Sequence, residues 1–446
     1  MSFQALPATP EVPQALCIFF ILLIPLALAG LALINTGLSR SRSAAHSMMS
    51  TVCGVGVAVT VYFVAGFAWQ GYPGLASRTL SILGAKWNWL GAGRFFLRGI
   101  SFDGSRVSLA ALLQLLSVGL AAVIPIGAAA ERWRLRACCA STALLAGITY
   151  PLFAHWVWGG GWLERLGVNY GLGAGFLDAG GSSTIQVVGG LTALSVVWLL
   201  GPRRGKYNLE GMPAALPGHN IVLVLFGCVL ALMGWMGLNA AGSILFAGIT
   251  LGGTVLVAVN TLLAASGAVL AAAAITSYRF GKPDASLSAN GWVCGLVASS
   301  AGCAYVPPAA ALLIGLVAGA LVTYTVAWME SHLGLDDPAG AISVHALGGL
   351  WGVLAVGLFP RTTSGLLPST GTPAVIPSGQ MLAQLVGAAT LVGFVLPFTY
   401  SLNWLLDRFF PQRIPPEEER HGADLYELGA GAYPEFVTHT DEFSQW

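Results

Sequence analysis

Long apolar runs, separated by short polar stretches, recur from one end of the chain to the other. They lie near residues 14–36, 48–70, 107–130, 137–158, 182–201, 219–238, 248–276, 286–304, 308–330, 341–360 and 379–405. About 20 apolar residues in a helix cross the roughly 30 Å hydrocarbon core of a bilayer. The pattern therefore predicts an all-α membrane protein with eleven transmembrane helices. The run at 248–276 also reads as two shorter segments, and the helix count hangs on it. The transmembrane unit covers 1–407, and 408–446 forms a hydrophilic tail.

Composition narrows the class. Of 446 residues, 56% are hydrophobic and 9% charged, against about 25% charged in a soluble domain. An ordinary soluble enzyme is excluded. A net charge of +1 makes no case for nucleic acid. The seven cysteines lie in or beside apolar runs without a CxxC pair and read as small buried hydrophobes. Residues 1–12 lack Lys and Arg, so the first run reads as a retained helix and not a signal peptide. With the N-terminus outside, 13 basic residues fall on the cytoplasmic side and 7 on the outer side. This orientation predicts an inner-membrane protein, surrounded by lipid, with its tail in the cytoplasm. The acidic run Pro415 to Arg420 reads as a solvated surface stretch.

The chain carries a faint internal repeat. Residues 183–191 (STIQVVGGL) resemble residues 342–350 (ISVHALGGL), 159 positions later. Four helices lie between them, so helix ten comes five crossings after helix five and the two point in opposite directions. That is the mark of an inverted-topology repeat, with a binding site near the midplane between its halves. Polar residues are rare at that depth and usually functional. His345 and Gln186 occupy matching positions and predict a polar pair in an apolar interior. An imidazole and an amide each donate and accept. Such a pair passes a small hydrogen-bonding solute, relays a proton, or simply ties two helices together.

A second cluster, 155–162 (HWVWGGGW), ends the fourth helix. Its tryptophans read as interfacial anchors, or, for one facing a vestibule, as a cation–π site. Asp178 reads as a cap on helix five, or as a carboxylate holding a site together. Asp336-Asp337-Pro338 reads as a cap and turn before helix ten. His46, His219, His332 and His421 read as solvated. P-loop, HExxH and metal-spaced Cys/His motifs are absent from the sequence, which predicts no enzyme, metal or cofactor.

Several of these segments, in order, resemble those of the ammonium transporter family (Amt/Mep/Rh). They are His155–Gly161 (HWVWGGG), Asp178–Gly181 (DAGG), Gly234–Ala240 (GWMGLNA), Val259–Thr261 (VNT), Asp336 to His345, Ala129–Arg132, and Pro416 through Tyr433. The resemblance covers nearly the whole chain. It implies two inverted five-helix repeats plus a final helix, a homotrimer, and one pore per subunit. It implies that Trp158 recruits ammonium outside, that a two-Phe gate follows, and that two facing histidines line the pore. Trp235, Leu238 and Asn239 fall in the matching segment of helix six. The tail implies a P-II-type regulator as a possible partner.

Departures from the pattern are specific. The first pore histidine is Gln186. The outer gate Phe falls on Ser117, with Leu113 one turn earlier, and the second aromatic falls on Leu238. The Ser that contacts the external cation falls on Gly242, unless Ser243 serves instead. Gln does not take up and release a proton at neutral pH, so a two-histidine relay cannot operate unchanged. The expected function is ammonium or ammonia transport through a modified pore. The alternatives are transport of another small amine or amide, and a poorly conducting ammonium sensor.

Overall fold

The computed structural model describes residues 11–82, 84–359, 362–363, 374–375 and 378–434. Helices occupy each of the expected runs. Nine helices among the described residues are long and apolar enough to cross a membrane. They are α1 (Pro13–Leu38), α2 (Ser41–Gln70), α3 (Arg106–Ala128), α4 (Leu135–Trp158), α5 (Ser182–Leu200), α6 (Ile221–Phe246), α7 (Gly253–Phe280), α9 (Pro308–Leu333) and α11 (Gln380–Phe409). Two more, α8 (Ala285–Gly302) and α10 (Ile342–Leu358), are shorter or more polar. The run at 248–276 forms the single helix α7.

Local chemistry sets the ends. Asn220 accepts from the backbone N–H of Val222 and Leu223 to start α6, and Asp284 accepts from Leu287 to start α8. Gly281 and Gly334 end α7 and α9 with φ of 76° and 62°, the left-handed region that glycine enters without penalty. Where two helices must touch, glycine removes the side chain. A Cβ on Gly30 of α1 would lie 2.5 Å from the Gly227 carbonyl of α6, and one on Gly37 would lie 2.6 Å from Asn220 O. Gly234 and Gly237 meet Ala27 and Phe20 farther along the same seam. Dispersion between closely packed backbones holds helices together in lipid, where no water is released.

The repeat is visible in three dimensions at an offset of 159. Asp178 and Asp337 precede α5 and α10, and Gly181 and Gly340 follow them with φ of 96° and 66°. Each helix then opens in a π-helical turn, Ser182–Val187 and Ile342–Leu347. Gly190 of α5 abuts Ala346, and Gly349 of α10 abuts Ser182 and Val187, so each glycine seats the other helix's π turn. Arg203, just after α5, pairs with Asp336, just before α10, which fixes the two helices as antiparallel.

Two features were not expected. The loop 71–106 contains an antiparallel hairpin, β1 (Ser77–Ile82) and β2 (Ala85–Gly91). Trp87 stacks on Trp162 at 5.0 Å between ring centroids, and Trp156 donates to Trp89 O. His155 joins the hairpin through Asn88 and the end of α2 through Gln70 O. At the opposite end, the tail straps the loops instead of lying in solvent. Glu419 is buried, pairs with Arg413 and accepts from the Arg204 N–H. Asp424 accepts from Ala45 and His46 N–H at the start of α2, and Glu427 from Leu135 N–H at the start of α4. The reading of Pro415 to Arg420 as solvated is thereby corrected for Glu419. His46 is likewise buried, because the tail covers the start of α2.

Candidate functional site

The centre of the molecule is the seam between α5 and α10. His345 Nδ1 lies 2.7 Å from Gln186 Oε1, both buried. Because that oxygen only accepts, His345 donates through Nδ1, and in the neutral ring Nε2 is then the nitrogen free to accept. Gln186 Nε2 is buried and makes no hydrogen bond within the described residues. An unmet donor in a dry interior costs about 1–3 kcal/mol, so it stands ready for a small acceptor. The π turns widen both helices where the pair sits, and such turns concentrate at functional positions.

A cavity of about 200 Å³ lies at the end of the bundle away from the tail. Trp158, Asp178, Glu164, Phe246 and Tyr305 are among its lining residues. Trp158 Nε1 donates to Asp178 O at 2.7 Å, which pins the indole. Its ring stacks on Phe246, with centroids 4.5 Å apart and planes within 6°. Asp178 spends both carboxylate oxygens on structure: it accepts from the backbone N–H of Gly181, Ser182, Ser183 and Thr184. The α5 start is thus capped four times over.

The remaining expected site residues sit elsewhere. Trp235 is fully buried and donates to Ser300 Oγ of α8. Asn239 donates to Thr261 Oγ1 of α7. Ser243 Oγ faces Cys303 Sγ at 3.4 Å. Leu113 and Leu238 are buried in the apolar core, and the Ser117 hydroxyl returns to Leu113 O. None of these six is among the residues lining the cavity. At Gly242, a Cβ would lie 2.5 Å from Ala179 O, so the backbone before α5 leaves no room for a serine there.

Asp336 departs from the cap-and-turn reading. It bonds the Arg203 guanidinium at Nε and Nη2, and Arg203 also reaches Glu131. The arginines hold the Asp336 carboxyl down at about 2. Asp337 is the cap, accepting from Ile342 N–H, and burial pushes its carboxyl up to about 6. Sequence reasoning missed Phe246, Tyr305 and Glu164. Phe246 is one apolar residue among many at a helix end and carried no signal. Glu164 did: it and Asp178 are the acidic residues between α4 and α5.

Comparison with known proteins agrees with this geometry. The model of the Ammonium Transporter Family matches residues 15–433. The ammonium transporter Amt2 of Archaeoglobus fulgidus is 36% identical, over 97% of this chain and 91% of that protein. The ammonium transporter of Bacillus subtilis is 30% identical over 93% and 96%. A solved structure described as a sensor Amt protein superposes with a TM-score of 0.82 at 28% identity, covering 94% of this chain and 98% of that one. Mep2 of Candida albicans shares the fold at a TM-score of 0.78 and 22% identity. With its paired seam helices, its pinned Trp158 and these relatives, the chain belongs to the ammonium transporter family.

Proposed function

We propose that the protein carries ammonia across an inner membrane by a central pore in each subunit of a homotrimer. The N-terminus and Trp158 lie outside, and the tail lies in the cytoplasm, where a P-II-type regulator can meet it. The observation that carries the reading is the Gln186–His345 pair with its free amide donor. Ammonia is small, accepts one hydrogen bond through its lone pair and donates through its N–H groups. Gln186 Nε2 supplies the donor and His345 Nε2 the acceptor. Gln186 does not exchange a proton at neutral pH, so no proton passes between the pair. Transport is therefore electroneutral. Nine apolar helices of spanning length among the described residues support the membrane location.

Proteoliposomes test this. An ammonium jump is expected to raise internal pH in a saturable way, since entering ammonia takes up a proton inside, with little current across a supported membrane. His345→Ala abolishes the response. A wild-type protein without any ammonium-dependent response would overturn the proposal. A second reading, an ammonium receptor that conducts poorly, is favoured by the likeness to the sensor Amt structure. It predicts ammonium binding without flux in the same preparation.

A further inference from the structure

Of the outer groups that the family resemblance implies, Trp158 stays, while the outer gate ring and the serine contact to the cation are lost. Ser117 bonds its own helix, Gly242 leaves no room for a hydroxyl, and Ser243 faces Cys303. Phe246 covers one face of Trp158. A single carboxylate remains whose hydrogen bonds do not consume both oxygens. Glu164 lines the cavity from the loop after α4. Its Oε2 accepts from Gly160 N–H at 2.9 Å, which points the side chain back over that loop. Asp178, by contrast, is saturated by the α5 N–H groups and adjacent hydroxyls.

We infer that Glu164 is the cation-holding and proton-accepting group of the outer cavity, binding ammonium and keeping its proton outside. The inference rests on the transport reading above and deepens it. In the cavity, Trp158, Phe246 and Tyr305 present aromatic surface, and a cation there meets the Glu164 carboxylate in a partly desolvated space. The volume of about 200 Å³ is room for an ammonium ion and roughly five waters at about 30 Å³ each. An N–H bond of ammonium breaks and an O–H bond forms on Glu164, giving ammonia and a neutral carboxylic acid. The acid then returns its proton to outer water. Ammonia, now uncharged, moves on to Gln186 and His345, which need carry no proton.

The electrostatics suit the step. Burial raises the Glu164 carboxyl to about 7, opposed by the Gly160 N–H and by Arg165. A proton acceptor works best when its pKa lies near the working pH. The other titratable and charged groups around the cavity are Asp178 before α5, Tyr305 and Cys303 after α8, Tyr72 after α2, Arg165 beside Glu164, Arg106 at the start of α3 and Cys17 on α1. Burial raises both tyrosines, so they stay neutral at that pH.

Ammonium and methylammonium binding to the full-length protein in nanodiscs, followed by titration calorimetry from pH 6 to 8, tests the assignment. Wild-type affinity is expected to fall about tenfold per unit below pH 7, as the carboxylate takes up solvent protons. Glu164→Gln, which keeps an acceptor for Gly160 N–H, weakens binding at pH 8 at least tenfold and loses the pH dependence. Glu164→Asp restores part of both. His345→Ala keeps binding and loses flux, which separates the cavity from the pore. Unchanged affinity and pH dependence in Glu164→Gln, with wild-type flux intact, would overturn this inference alone. Absence of both binding and flux in the wild type would overturn the transport reading with it.

Discussion

The two ends of the Gln186 amide differ in their surroundings, and one substitution removes both. Its Oε1 satisfies His345, and its Nε2 makes no hydrogen bond among the described residues. Gln186→Leu removes both and leaves the His345 Nδ1–H unmet, at a cost of about 1–3 kcal/mol in stability. Ammonia flux falls about tenfold or more, since about 1.4 kcal/mol on the barrier is a factor of ten. Stopped-flow internal pH measures the flux. Asp336 supports a pH prediction. Its folded carboxyl lies near 2, below the ordinary value of 3.8. Its contribution of about 2 kcal/mol is therefore full above about pH 4 and lost as pH falls through 2. Thermal unfolding in detergent between pH 6 and pH 3 is expected to show the loss begin near pH 4. Asp336→Asn removes that acid sensitivity and lowers stability by about 3–5 kcal/mol at pH 7, because Arg203 is left buried and poorly paired.

Helix starts differ between the two halves in a way that mutation can read. Asp178 meets four backbone N–H groups and two hydroxyls. Asp337 accepts from Ile342 N–H, and its Oδ1 is buried without a hydrogen bond among the described residues. Asp178→Asn is expected to cost about 3 kcal/mol or more, since a charge-assisted bond is worth about 1.5–3 kcal/mol. Asp337→Asn costs under about 1 kcal/mol at pH 7, where its carboxyl is only partly beyond its own titration range. Equal losses in melting experiments on the two variants would refute this asymmetry. The pairing of Gln186 with His345 was legible in the sequence because the GGL repeat sets the register. The hairpin was not, because its strands are short, carry mixed polarity and sit inside a long loop. The role of Glu419 was not legible either. An acidic run reads as solvated until Arg413 and Arg204, from distant segments, are brought to it.

At the scale of the molecule, the tail binds the loop ends into one plate. Its contacts reach α2, α4 and the segment after α5 through Asp424, Glu427 and Glu419. Removing residues 411–446 is expected to lower the melting temperature and to open the segment 201–220 to protease, while the apolar bundle stays folded. Limited proteolysis in detergent reads the outcome, and an unchanged digestion pattern would contradict it. The spacing of apolar runs made the bundle legible at this scale, since each run is long and the bilayer fixes its length. The cavity was legible only in part, since its walls come from loops and helix ends whose approach depends on the whole fold.

The glycine seam between α1 and α6 has a consequence for how the protein is made. These helices touch along facing glycines, yet α6 ends 208 positions after α1 does. At a synthesis rate of about 5–20 residues per second, roughly 10 to 40 s pass before α1 meets its partner. During that interval α1 has α2 and α3 to pack on, but its glycine face meets lipid. It is the most apolar of the nine spanning helices among the described residues, which lets that face wait in lipid. Once α6 arrives, docking replaces lipid along the full seam, and the two halves of the repeat become one body late in translation.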